Sequence, residues 1–65
     1  MTKFYKFSLM DGSPVFVNAA AIVAFERNPL GGSRLYFGSG ETFKPVSETL
    51  EEVHRSLREG GVHFD

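Results

Sequence analysis

The chain has 65 residues, no cysteine, and a formal net charge of -1 from seven basic and eight acidic side chains. A chain of this length is one domain at most and buries only about 60% of the surface its unfolded form exposes, which argues against a closed pocket for a large cofactor. The missing cysteines exclude a disulfide framework and a thiolate zinc site, and the balanced charge gives no global field for phosphate backbones or an anionic membrane.

The N-terminal run MTKFYKFSLMDGSP lacks the apolar core of a signal peptide, and no stretch approaches the roughly 20 apolar residues of a spanning helix, so a cytoplasmic protein without membrane insertion is expected. Seven Phe and two Tyr are a heavy aromatic load for so small an interior, and some are expected at an interface.

From Lys3 to Met10, Tyr5, Phe7 and Leu9 alternate with Lys6 and Ser8, the period-two pattern of a half-buried strand, with Phe4 and Met10 on the polar side. Asp11, Gly12, Ser13 and Pro14 are all turn formers, and Val15, Phe16 and Val17 resume a β-rich composition. The segment therefore predicts a hairpin with strands at about 3–10 and 15–17. Pro14 belongs at the start of the returning strand, where its missing N–H does least harm.

Asn18 predicts a turn or the cap of a short helical segment over Ala19, Ala20 and Ala21, ahead of a third strand at about 22–27. One helix from Ala19 to Arg27 is the alternative, opposed by the β-branched pair Ile22 and Val23 and by the Asn28-Pro29 stop. Asn28 to Ser33 predicts a flexible connection. Leu35 and Phe37 then alternate with Arg34 and Tyr36 in a fourth strand at about 34–37, and Gly38-Ser39-Gly40-Glu41 turns the chain into a fifth at about 42–46. Pro45 assigns that strand to an edge or ends it.

Thr49 followed by Glu52 is a capping box, and Leu50, Val53 and Leu57 repeat at helical spacing, which predicts a helix over about 50–59. Arg55 and Arg58 suit its C-terminal dipole, Gly60-Gly61 stops it, and Val62 to Asp65 form a tail. The fold class is α+β in a single domain over 1–65: a small antiparallel sheet of four to five strands followed by one C-terminal helix.

This order, with Leu9-x-Asp11-Gly12, Val15 to Asn18, Ile22, a hairpin containing Gly40 and the helix start Glu48-Thr49-Leu50-Glu51-Glu52-Val53, resembles the small flagellar proteins of the FlbD and swarming-motility (SwrD-like) type over most of residues 4–57. The resemblance implies a motility-related role. The chain departs from that family at Asn28 to Ser33, where a compact threonine-rich hairpin is usual. A second resemblance, over Arg34 to Leu57, is to the β-rich half of LytTR DNA-binding domains. A phage- or prophage-encoded inhibitor of a host protein fits the size equally well.

The residues that carry chemistry elsewhere have structural roles here. His54 and His63 have no third ligand at metal spacing, and His54 flanks the stripe of Leu50 and Leu57. Ser13, Ser33, Ser39 and Ser47 sit in turn and cap contexts, and Gly31-Gly32-Ser33 and Gly38-Ser39-Gly40 lack the lysine and following helix of a phosphate loop. Glu51 and Glu52 are adjacent on a helix and point apart, so they cannot share a substrate. Neither a metal nor another cofactor is expected, and no enzymatic activity.

Phe4, Phe16 and Tyr36 are hard to place in one core, because alternation sets each opposite its more regularly apolar neighbours. An apolar second sheet face needs a cover, from a second copy or another protein, unless the sheet curls around both faces or the aromatics stay exposed. The function expected is a small non-enzymatic interaction module, a regulator or adaptor able to self-associate, whose face carries Phe4, Phe16, Arg34 and Tyr36 with Phe64 as an extra anchor. The alternative is a nucleic-acid-binding regulator using Lys6, Arg34, Tyr36 and Lys44 on its strands.

Overall fold

A computed structural model describes residues 3–64 and has the expected α+β order. Five strands, β1 (Phe4–Ser8), β2 (Pro14–Asn18), β3 (Ile22–Arg27), β4 (Ser33–Phe37) and β5 (Thr42–Val46), precede one helix, α1 (Leu50–Glu59). All pairing is antiparallel, but the strands divide between two sheets, β1-β2 and β3-β4-β5. Ala19–Ala21 form a single 3-10 turn that joins them, with the Asn18 side chain accepting the Ala20 N–H at 3.0 Å, so the cap and third strand form in place of one helix to Arg27.

The hairpins β1-β2 and β3-β4 close by the same device. Gly12 N–H donates to Leu9 C=O at 2.9 Å and Leu9 N–H to Ser13 C=O at 2.7 Å; Gly31 N–H donates to Asn28 C=O and Asn28 N–H to Gly32 C=O, both at 2.9 Å. Each is a tight turn ending on a residue with positive φ, 90° at Gly12 and 109° at Gly31, which glycine adopts without strain. The first turn starts at Leu9, so β1 ends at Ser8 and the reversal comes earlier than Asp11 to Pro14 suggests. The second makes the expected flexible connection an ordered loop: Asn28 is buried, and its Oδ1 accepts the Leu30 N–H at 3.2 Å.

Within the first turn the Asp11 carboxylate accepts the Ser13 N–H at 2.9 Å, and this bond, aided by the Ser13 hydroxyl, holds its pKa below the ordinary value of 3.8. A carboxyl depressed in the fold contributes stability fully above its unfolded pKa and loses it as pH falls through the lower folded one. Stability is therefore expected to decline below about pH 4, and Asp11→Asn to remove part of that acid sensitivity. Urea midpoints of the two proteins, followed from neutral pH downward, check this.

Both strand prolines stand where a main-chain donor is not needed. Because Leu9 bonds to Ser13, alternation makes Ser8 and Pro14 a pair without mutual hydrogen bonds. Ser8 turns its main chain the other way: its N–H donates to both Glu48 carboxylate oxygens at 2.9 and 3.0 Å, and its C=O accepts the Ser47 N–H at 2.8 Å. The Ser33 hydroxyl donates to Glu48 C=O at 2.9 Å, so the loop from β5 to α1 ties the two sheets together. Pro45 lies on β5, an edge strand as expected, opposite Arg34, whose main chain faces β3.

One core lies between the sheets and α1. Phe7 and Val17 enter it from β1-β2, Leu35 and Val46 from β4 and β5, and Val53 and Leu57 from α1. The capping box is complete, with Glu52 N–H donating to Thr49 Oγ1 at 3.1 Å and Thr49 N–H to the Glu52 carboxylate at 2.8 Å. At the other end Gly61 N–H donates to Arg58 C=O at 3.0 Å and Val62 N–H to Leu57 C=O at 2.9 Å, a closure that brings Val62 back onto the core. The expected tail is therefore packed through Phe64; Asp65 lies outside the described residues.

Candidate protein-interaction surfaces

In β1, Tyr5 and Phe7 face the core, which leaves Phe4 and Lys6 on the outer face. Register sets Lys6 opposite Phe16 and Phe4 opposite Asn18, so Phe4 and Phe16 are diagonal neighbours with Lys6 beside both. Phe4 is 59% exposed and Phe16 62%, and Met10, 50% exposed, sits at the turn closing the hairpin. Among the described residues Lys6 has no ion-pair partner. Two phenylalanines and an unpaired ammonium thus share one exposed surface.

Arg34 and Tyr36 share a face as alternation predicts, but it belongs to the other sheet. The Tyr36 hydroxyl donates to Glu26 Oε2 at 2.6 Å, its ring lies 5.5 Å from that of Phe43, and the Arg34 guanidinium stands 4.8 Å over the Phe43 ring. Arg34 Nε is screened from solvent and has no hydrogen-bond partner among the described residues. The arrangement is an intramolecular stack with a cation over an aromatic face, worth about 0.5–1 kcal/mol where exposed. Phe43 and Glu26 are the members sequence reasoning missed. The four-residue reversal Gly38 to Glu41 was the signal, because it sets Phe37 against Thr42 and hence Tyr36 against Phe43.

Phe64, 40% exposed, rests against rings of its own chain. Its ring meets Phe25 edge-on at 5.9 Å and His54 edge-on at 4.5 Å, so His54 covers the end of the chain as well as flanking α1. The structure therefore distributes Phe4 and Phe16, Arg34 and Tyr36, and Phe64 over three places. No ring or cation contact joins these groups among the described residues.

The residues of the nucleic-acid alternative are likewise dispersed: Lys6 is on the other sheet, and Lys44, opposite Leu35, alternates away from Phe43 and Pro45. Among the described residues no three His, Cys, Asp or Glu side chains cluster at metal-binding distance. Among the described residues no helix is long and apolar enough to cross a membrane.

Fold and surface together define a small α+β module with an exposed phenylalanine patch, a self-contained aromatic stack and an apolar cleft beside β3. Comparison with known proteins finds no match to a protein family, a curated protein or a solved structure.

Proposed function

We propose that this chain is a small non-enzymatic protein-interaction module, a regulator or adaptor that docks on another protein through Phe4, Lys6 and Phe16. The observation supporting this is the pair of adjacent phenylalanines, each more than half exposed, on the strand face turned away from the core. Fully burying a Phe side chain is worth about 1.5–3 kcal/mol, so covering the exposed part of both supplies roughly 2–4 kcal/mol. That is enough for a binding hot spot. Lys6, opposite Phe16 and two residues from Phe4 on the same face, offers its ammonium to an acidic group on the partner. The mechanism is steric or allosteric, without bond chemistry. By the resemblance to flagellar and swarming-motility proteins alone, the proposed partner is a component of the motility machinery.

Phe4→Ser with Phe16→Ser tests the reading. Both positions are exposed, so the variant is expected to keep the wild-type circular dichroism spectrum. Its stoichiometric partner, captured by the tagged wild-type chain from native host lysate, is expected to bind roughly 30-fold to 1,000-fold more weakly. A folded variant that keeps the same partner at the same affinity overturns the assignment of this face.

A further inference from the structure

A second surface, independent of the phenylalanine patch, lies along β3. The Asn28 N–H bonds to Gly32 C=O, so antiparallel alternation makes Glu26 with Arg34, and Ala24 with Tyr36, the hydrogen-bonded pairs. Phe25 and Arg27 consequently turn their N–H and C=O groups away from β4, toward the free edge of the sheet. Among the described residues no turn or loop main chain bonds to them. The other edges are blunted: β2 begins with Pro14, β5 contains Pro45, and the end of β1 is occupied by Ser47 and Glu48. The irregularity in register at Val23 ends the regular run of β3, which leaves Ala24 to Arg27 as a template for one short added strand.

Beside this edge lies an apolar cleft of about 270 Å³, lined by Ile22, Val23, Phe25, Leu57, Val62 and Phe64. It falls below the roughly 300–1,000 Å³ of small-molecule sites and suits a single large apolar side chain. On the opposite face of β3, Glu26 accepts a hydrogen bond from the Tyr36 hydroxyl and makes no ion pair among the described residues, Arg34 being turned over Phe43. Arg27, by contrast, already pairs with Glu51 at 3.4 Å.

From these placements we infer that β3 binds an extended peptide as a fourth, antiparallel strand, with a basic residue opposite Glu26 followed by a large apolar residue opposite Phe25 that enters the cleft. Main-chain bonds to Phe25 and Arg27 supply register, the cleft supplies apolar burial, and Glu26 supplies charge selectivity. A second copy of this chain is a poorer occupant. Two-fold pairing that uses both Phe25 and Arg27 sets Glu26 against its own counterpart, and like charges directly opposite are destabilising.

The probes are three capped synthetic peptides of threonines flanking a central pair: Lys-Phe, Glu-Phe, and Lys-Phe N-methylated at the phenylalanine. Each is titrated into the isotopically labelled chain and followed by amide resonances. The Lys-Phe peptide is expected to shift Phe25 and Arg27, to bind about fivefold to tenfold more tightly than Glu-Phe, and to lose binding when N-methylated. Glu26→Lys, at an exposed position, is expected to reverse the charge preference, while the Phe4→Ser, Phe16→Ser variant binds as wild type.

Several results overturn the inference: no shifts at millimolar Lys-Phe peptide, shifts confined to Phe4, Lys6 and Phe16, a charge preference unchanged by Glu26→Lys, or a peptide-free dimer paired through β3. Because the peptides and Glu26→Lys test β3 while the Phe4→Ser, Phe16→Ser variant tests the patch, failure at β3 leaves the phenylalanine patch standing, and the converse holds.

Discussion

Gly32→Ala is expected to cost about 3 kcal/mol or more, a large part of what holds this chain together. Two independent effects add there. Gly32 has φ 70°, where an L side chain costs roughly 1–2 kcal/mol. A Cβ on it would also overlap the Val46 carbonyl oxygen and press on Ser47 Cα. Those atoms belong to the main chain where β5 leaves the sheet, beside the Ser47 bond that joins the two sheets, so they cannot swing aside as a side-chain tip would.

A domain of this length has a net stability of roughly 3–10 kcal/mol, and the variant should be substantially unfolded without stabilising conditions. Gly31→Ala is the control. It has φ 109° but nothing within 4 Å of the added methyl, so only the backbone cost of roughly 1–2 kcal/mol applies. Denaturant midpoints at unchanged m-value measure both, and equal losses at the two sites would show that the close approach to Val46 contributes nothing.

The same contrast between local and long-range causes explains what was legible in the sequence. The helix over Leu50–Glu59 was readable to the residue, because its signals, Thr49 with Glu52 at one end and Gly60-Gly61 at the other, act within a single turn. The strands were readable to within about a residue or two wherever alternation carried them, as were the edge position of Pro45 and the shared face of Arg34 and Tyr36. The division into two sheets was not readable. It follows from β2 and β3 not pairing across the Ala19–Ala21 turn, while Ser8 joins the sheets through Ser47 and Glu48, long-range choices that no local pattern encodes.

For the same reason the five candidate interface residues could not be apportioned from alternation alone. Alternation sets Phe16 and Tyr36 on outer faces but is silent on Phe43, which stacks on Tyr36, and on Phe25 and His54, which hold Phe64. Phe4 and Phe16 are left exposed because, among the described residues, no element packs on the outer face of β1-β2.

Phe7→Ala and Phe16→Ala turn that difference into a measurement. Phe7 is 1% exposed and carries the two-stranded sheet onto Leu35, Val46 and α1; truncating it should cost about 3–5 kcal/mol through lost burial and the cavity left behind. Phe16 lies on the other side of the same hairpin, 62% exposed, and truncating it in the isolated chain should change stability by no more than about 0.5 kcal/mol. Thermal and denaturant unfolding at several protein concentrations test the pair. If Phe16→Ala costs as much as Phe7→Ala, and the loss grows with protein concentration, the outer face is already covered by a second copy in solution, and Phe4 and Phe16 are core residues of a dimer. A small, concentration-independent loss leaves that face open for a partner of different sequence, as the proposed docking role requires.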